Sequence, residues 1–283
     1  MAEAPGTTVV TVVHGRHDHL VRQRRLLRQV APASRHVVVA MGDPAISALL
    51  EDDPAVDLVE LRDHPFGLPL AAARNAGVAR ALDRGADLVV LLDVDCLPGR
   101  DLLPRYERAA RFAPDDLLCG PVTYLAEGVL PDSAEDLPAL TDPHTARPSP
   151  PTGELERGGD HDLFWSLSFA VTPSTWEALG GFCEDYVGYG GEDTDLAWTA
   201  RDRGIGLTWV GGAHAYHQWH PVSRPPVEHI EAIVRNAHVA HRRWGRWPMR
   251  GWLDSFVDRG LVRWTPDGPT LADPAPVPPT IGG

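Results

Sequence analysis

Apolar positions in the first half of the chain come in short blocks separated by amphipathic stretches. "TVVTVVH" (Thr8–His14), "HVVVAM" (His36–Met41) and "VDLVEL" (Val56–Leu61) are short and β-branched, which predicts three strands. An Arg-rich helical stretch from His19 to Val30 separates the first two. "LPLAAARNAGVARALDRG" predicts a helix, with Gly85 where a helix C-terminus favours it. "ADLVVLLDVD" is then a fourth strand, and its unbroken apolar run is expected of a strand covered on both faces. Strands alternating with helices predict an α/β protein with a mostly parallel sheet flanked by helices. Such sheets bind ligands at the carboxyl ends of their strands, where the strand order reverses.

From Glu127 to Asp162 this periodicity collapses into a stretch rich in Pro, Gly and acid, which reads as a lid, a binding loop or a disordered segment. Order returns with "LFWSLSFAV" (Leu163–Val171), a short helix from Pro173, and a helix from about Thr194 to Arg203 that Gly204 stops. "IGLTWVGG" follows as a strand and "AHAYHQWH" as a strand-to-loop exit. Val227 to Trp264 reads as two helices, with Ile230, Ile233, Val234 and Ala237 spaced for one buried face. The expected division is 1–225, with halves of about 1–125 and 163–225 around the 127–162 loop, and 226–283 as C-terminal helices and a Pro-rich tail packed on it.

Composition narrows the function classes. An apolar share of 43% with nine Trp in 283 residues supports a real core. A formal charge of −13 argues against sequence-independent nucleic-acid binding, which relies on neutralising phosphates, but leaves room for a small anion at a local site. All 26 basic residues are Arg, a sign of GC-rich coding. Cys96, Cys119 and Cys183 lack metal-like spacing and read as buried thiols in a reducing compartment. "MAEAPGTTVV" lacks the pattern of a signal peptide, and no apolar stretch approaches the ~18–20 residues that span a bilayer. A soluble, cytoplasmic protein is the expectation.

Three clusters carry candidate chemistry. In "LLDVDCLPG" the fourth strand drives Asp93 and Asp95 to its tip, against like-charge repulsion and desolvation, so a positive partner is expected there. Residues two apart on a strand face the same way, which would let both carboxylates reach one Mg²⁺ or Mn²⁺; the other reading is a turn cap beside a solvated Asp. "YGGEDTDLAW" gathers Glu192 to Asp195 at a helix start behind Gly190 and Gly191. Capping accounts for one or two of these side chains, whereas the glycines suit close approach of a ligand and a carboxylate there suits deprotonation of a hydroxyl. "HAYHQWH" supplies His214, His217 and His220, either a surface cluster or imidazoles completing a metal site begun by Asp95.

With these three segments in this order, the chain resembles inverting glycosyltransferases of the GT-A (Rossmann-like) fold, family-2-like in its amino-terminal half and of the β-galactosyltransferase type in its carboxyl-terminal half. The resemblance runs from about Thr8 to Trp252. It implies that Asp93 contacts ribose or metal and that Asp95 ligates Mn²⁺ (or Mg²⁺), with Val94 between them in the nucleotide-sugar site. It implies Asp193 as catalytic base, and Tyr189, Gly190, Gly191 and Glu192 around the acceptor. Asp195 is then a structural cap. His217 matches the metal-ligating His. His214 stands where the β-galactosyltransferases carry a Met ligand, and His220 is the substitute if the register is shifted. Tyr189 stands where the animal enzymes have Trp. His14, Gly15, Arg16 and Asp43 match the nucleoside cradle, and Arg74 and Asn75 the pair near diphosphate and ribose; for Arg74 a solvated helix charge is the alternative.

The implied activity is metal-dependent transfer of a hexose (Gal, GalNAc or Glc type) from a UDP-sugar to a hydroxyl on a sugar, small molecule or lipid-linked acceptor. The rivals are a retaining transferase, a nucleotidyltransferase, for which "HGRHDH" is a poor phosphate loop, and a non-catalytic nucleotide-sugar-binding or scaffold protein. The tail "HRRWGRWPMRGWLDSF" either packs Trp244, Trp247 and Trp252 on the rest of the chain or touches an acceptor, a partner or a peripheral membrane face.

Overall fold

The computed structural model describes residues 6–272 apart from Asp52. The chain runs β1 (Gly6–Val13), α1 (His17–Val30), β2 (Arg35–Met41), α2 (Ala45–Leu50), β3 (Val56–Leu61), α3 (Leu70–Asp83), β4 (Ala86–Leu92), β5 (Cys96–Pro98) and α4 (Leu102–Phe112). It continues through β6 (Leu117–Cys119), β7 (Val122–Tyr124), β8 (Leu155–Arg157), β9 (Ser168–Val171), α5 (Pro173–Leu179), α6 (Glu192–Asp202), β10 (Leu207–Val210) and β11 (Ala215–His217). Last come α7 (Ile230–Trp244), α8 (Arg250–Asp258), β12 (Val262–Thr265) and β13 (Gly268–Leu271).

Eight strands form the main sheet in the order β3-β2-β1-β4-β9-β6-β10-β8. The first four are mutually parallel, and β9 enters antiparallel between β4 and β6. The unbroken apolar run of β4 follows from burial on both faces. Val89 and Leu91 join the core beneath α3, α5 and α6, while Leu88, Val90 and Leu92 join the core beneath α1 and α4. Helix α3 is pressed onto the sheet at Gly77, where a Cβ would lie 2.4 Å from Val10 Cγ1. That close approach carries Arg74, one turn earlier, under the tip of β4.

A second, three-stranded sheet, β5-β11-β7, lies beyond the main one. Its register sets His217 opposite both Cys96 and Tyr124. The residue after the Asp93-Val94-Asp95 segment is therefore a neighbour of an imidazole more than a hundred positions away.

Several expected boundaries move. Strand β4 stops at Leu92, and residues 93–95 form a turn closed by the Cys96 N–H donating to the Asp93 carbonyl at 2.8 Å. Helix α6 starts at Glu192 rather than about Thr194, so Glu192 and Asp193 belong to its first turn. The strand expected over Leu163–Val171 is confined to Ser168–Val171. Helix α2 and the β12–β13 hairpin replace a loop and the end of a helix. The 127–162 segment has its own short 3-10 turns, contributes β8 to the edge of the main sheet, and buries Leu137 against Tyr216 and Leu97. The Pro-rich tail expected beyond Ala272 lies outside the described residues, as do residues 1–5.

The Arg/Trp-rich segment turns inward. Trp244 donates its indole N–H to Asp195 at 2.6 Å, Trp247 stacks on His241 at 4.0 Å, and Arg246 and Arg250 lie over the rings of Trp198 and Trp264. Packing engages the rings that a membrane face would need. Asp195 accepts from Tyr186 and Arg243 as well, so a single carboxylate, 2% exposed, fastens α7 to α6. Replacing Asp195 by Ala leaves three donors facing a void, and is expected to cost about 3–5 kcal/mol in urea unfolding.

Candidate functional site

The turn at the tip of β4 sends its two carboxylates apart. Asp93 meets Arg74, whose Nη2 lies 3.1 Å from its Oδ1 while Nη1 lies 3.0 Å from Glu192 Oε1. Arg74 is thus a buried bridge between β4 and the first turn of α6, neither a solvated helix charge nor a free group for phosphate. Burial opposes the charge on Arg74, but the two carboxylates outweigh it and raise its pKa. Burial and the charge of Asp95 push the Asp93 carboxyl above the usual range despite Arg74.

Asp95 points the other way. Its Oδ2 lies 3.4 Å from Nε2 of His217 and 3.4 Å from Nε2 of His220. Burial works against the charged form, yet the two imidazoles hold this carboxyl well below the ordinary carboxylate value. His217 loses basicity to burial and regains more from Asp95, so its pKa is raised. The two carboxylates face different partners instead of facing the same way as strand positions would, because residues 93–95 are a turn.

His214 does not join this group. It bonds Thr123 Oγ1 at 2.7 Å and tilts over Tyr216, and burial lowers its pKa to about 4. It lies ahead of β11, whereas His217 ends that strand and His220 returns from the following loop. The group whose donor atoms converge, all within 4.8 Å of one another, is Asp95, His217 and His220.

The residues around the tip fit a cation. Asp95 Oδ1 and His217 Nδ1 are buried without a hydrogen-bond partner among the described residues. Metal bonds of about 2.1 Å put neighbouring ligand atoms about 3 Å apart, close to the 3.4 Å found between the Asp95 and imidazole donors. Asp93 and Glu192 share one guanidinium, Asp193 has only its longer-range charge, and Asp95 faces imidazoles, so carboxylates outnumber permanent cations here, an imbalance that a divalent ion would relieve.

Gly190 and Gly191 take φ of +91° and +96°, a region open to glycine, and deliver the chain into α6. Their close neighbours are not a ligand. A Cβ at Gly190 would lie 2.8 Å from Met249 Sδ and one at Gly191 3.0 Å from Tyr186. Tyr186, from the loop before α6, and Met249, at the start of α8, thus occupy the space the glycines open. Glu192 is buried, with Oε2 unpartnered beyond its bridge to Arg74. Asp193 accepts the Thr194 N–H at 2.7 Å, and burial together with Glu192 pushes its pKa up to about 7. Tyr189 stacks against His229 at 4.6 Å and Trp252 at 5.7 Å. Burial, then the charges of Asp193, Glu192, Asp95 and Asp93, raises its phenol to about 12.

At the same carboxyl ends of the parallel strands, beyond β1 and β2, Asp43 accepts the Gly15 N–H and faces His17 Nε2, both at 2.8 Å, and His14 Nδ1 lies 2.7 Å from the Met41 carbonyl. Arg16 takes φ of +50° to start α1. A cavity of about 460 Å³ opens beside Asp43, lined also by Gly42, Pro44, Arg62 and Asp63. Asn75 is turned away from this region, and its amide ties Phe182 and Glu184 to α3. Gln23, Gln218 and Tyr124 carried no motif. Gln23 donates to the carbonyls of Asp93 and Cys96, and the Gln218 N–H to that of Asp95 at 2.6 Å, so both brace the turn. Tyr124 stacks on His217.

No protein-family model and no curated protein matches this sequence. Among solved structures, it resembles GalNAc-T7 with UDP, GalNAc and Mn²⁺ (TM-score 0.56, 13% identity, 86% of this chain and 51% of that one). It also resembles residues 1–349 of S. aureus TarS (TM-score 0.56, 12% identity, 82% of this chain and 64% of that one). The chain thus spans less than two thirds of either structure, and the likeness shows the GT-A fold. Among the described residues no helix is long and apolar enough to cross a membrane.

Two outcomes follow from this geometry. His217→Ala and His220→Ala are each expected to weaken Mn²⁺ binding at least tenfold in calorimetry with the metal alone, and His214→Ala to leave it unchanged. Arg74→Met leaves Asp93 and Glu192 buried without a cation, a loss of about 3–5 kcal/mol at neutral pH. The folded-state pKa of Asp93, already above its ordinary value, then rises further, so the deficit should shrink as the pH falls toward about 4 and grow as it rises, as urea melts at several pH values would read.

Proposed function

We propose that this protein is a glycosyltransferase that moves a hexose from a UDP-sugar to an acceptor hydroxyl with inversion, using a divalent cation. The observation that carries the reading is the convergence of Asp95, His217 and His220 at one strand tip beside a carboxylate, Asp193, whose pKa is about 7. The GT-A fold supports it, since both structural neighbours are glycosyltransferases of that fold and one was crystallised with UDP, a sugar and Mn²⁺. Two imidazoles and one carboxylate favour Mn²⁺ over Mg²⁺, which prefers oxygen donors.

When bound, the cation supplies Lewis-acid stabilisation of the charge on a departing diphosphate. The rest is done by side chains. His14, Gly15, Arg16 and Asp43 border the nucleoside at the ends of β1 and β2. Arg74 holds Asp93 toward the donor and pairs with Glu192 Oε1, while Glu192 Oε2 accepts from the acceptor. Tyr189 borders the acceptor. Asp193 Oδ takes the proton from the acceptor hydroxyl as that oxygen attacks the anomeric carbon from the face opposite the leaving group. A carboxylate with a pKa of about 7 is a far better base at neutral pH than an ordinary one.

Asp193→Asn is expected to lower transfer by about 10²–10⁴-fold while Mn²⁺-dependent UDP binding persists in calorimetry. In the native protein, Asp193 is protonated and inert below its pKa. Transfer should therefore rise with pH through about 7 and lose this limb in the variant. Transfer that survives in Asp193→Asn removes Asp193 from the base role. A thermal-shift screen across nucleotide-sugars with Mn²⁺ tests donor binding without any acceptor.

A further inference from the structure

A row of rings leads away from His217 and plays no part in the reaction above. Tyr124 ends β7 and stacks on the His217 ring, with centroids 4.6 Å apart and planes at 27°. It is 47% exposed, and its hydroxyl has no partner among the described residues. His144 meets Tyr124 edge-on at 5.6 Å and Trp165 at 5.2 Å. Behind Trp165 lies Arg147, 5.2 Å from that ring and 4.8 Å from the ring of Trp209.

Arg147 is the unusual member. It is 5% exposed, and Nε and both Nη atoms are buried without a hydrogen-bond partner among the described residues. An unpaired buried guanidinium costs several kcal/mol, and two desolvated cation–π contacts return about 2 kcal/mol each. Stability alone gives little reason to keep it. Its effect is to pin Trp165 from behind, so that the wall presents a fixed face.

The segment bearing His144 and Arg147 is pinned as well. The His144 N–H donates to the Val122 carbonyl at 2.9 Å, the Asp142 N–H to Thr123 Oγ1 at 2.9 Å, and Thr141 Oγ1 lies 2.6 Å from the Tyr216 hydroxyl. These ties make the wall a preformed surface rather than a swinging cover. His144 Nδ1 accepts the Ala146 N–H at 3.2 Å, so in the neutral ring Nε2 carries the proton and is left to donate.

We propose that Tyr124, His144 and Trp165 form the subsite for the sugar ring of the donor, a neutral hexopyranose that lays its C–H-bearing face on the rings and takes a hydrogen bond from His144 Nε2. The inference rests on the glycosyltransferase reading, because it assigns one part of that substrate. The wall starts on a ring of the candidate metal site, where the diphosphate would end, and the sugar is the next group along the donor. Tyr124 reaches the candidate metal site through the His217 ring, whereas Asp193 and Tyr189 serve the acceptor. The wall presents neutral rings, and the guanidinium behind it, Arg147, is 5% exposed, so a carboxylated sugar meets no accessible cation there, which restricts the class to uncharged hexoses.

The test compares Mn²⁺-dependent binding of UDP with that of UDP-glucose, UDP-galactose, UDP-N-acetylglucosamine and UDP-glucuronate by calorimetry. The wild type, Tyr124→Ala, Tyr124→Phe and His144→Ala are measured side by side. In the wild type at least one neutral UDP-hexose should bind more tightly than UDP, and UDP-glucuronate should not. His144→Ala and Tyr124→Ala should each reduce that advantage by about 3–10-fold, with UDP affinity held within twofold in His144→Ala, whereas Tyr124→Phe should retain the advantage. Saturating the aromatic protons by NMR should transfer magnetisation to the bound hexose in the wild type and lose intensity in Tyr124→Ala. If the ratio of UDP-hexose to UDP affinity stays unchanged in all variants, or both affinities fall together in His144→Ala, the subsite is wrong while the wild-type result still supports the transferase. Preference for UDP-glucuronate overturns the neutral class. A wild type that binds no UDP or UDP-sugar with Mn²⁺ overturns both.

Discussion

Four carboxylates crowd the tip of one strand, and the buried guanidinium of Arg74 is what makes that placement tolerable. It spans from Asp93 at the end of β4 to Glu192 in the first turn of α6, with ion pairs of 3.1 and 3.0 Å. A buried pair of this kind is weak evidence for stability, since desolvation offsets most of the attraction. Its consequence is geometric. It locks α3, β4 and α6 in one arrangement, in which Asp95 is turned to the imidazoles of His217 and His220 while Asp193, among the described residues, has no ion-pair partner of its own. The rise of Asp193 to about 7 and the depression of Asp95 follow from that division of partners.

The C-terminal extension is part of this arrangement rather than an appendage to it. Asp195, two residues beyond Asp193, accepts from Tyr186, Arg243 and Trp244 and so ties α7 to the helix that carries Asp193. Asn236, wholly buried, donates to the carbonyls of Tyr189 and Gly190 and holds the glycine turn from the other side. Met249 and Tyr186 fill the space that glycine leaves at positions 190 and 191. Two helices late in the chain thereby determine where Tyr189 and Asp193 stand.

Legibility differed by kind of feature. Strands β1, β2 and β4 were readable because burial on both faces demands nearly uninterrupted β-branched and aliphatic runs, and the half-buried edge strand β3 was readable from its apolar positions interspersed with acidic ones. Strands of three residues such as β5, β7 and β11 are too short to show a period, and those three strands form the sheet that carries the candidate metal site. Among His214, His217 and His220, spacing alone leaves the choice open. Where β11 ends, and how the loop after it returns, separates the one that bonds Thr123 from the two that face Asp95. Arg74 offered no local sign, since its partners lie 19 and 118 positions away.

The amino-acid sequence by itself determined the alternating α/β order, the delivery of carboxylates to a strand tip and the need for positive φ before α6, because each is set by interactions within a few residues. Tertiary structure alone decided which charges neutralise one another, which imidazoles converge, and that Tyr186 and Met249 rather than a ligand fill the space beside the glycines. Those outcomes depend on distances between segments far apart in the chain, and such distances exist only once both faces of the sheet are covered.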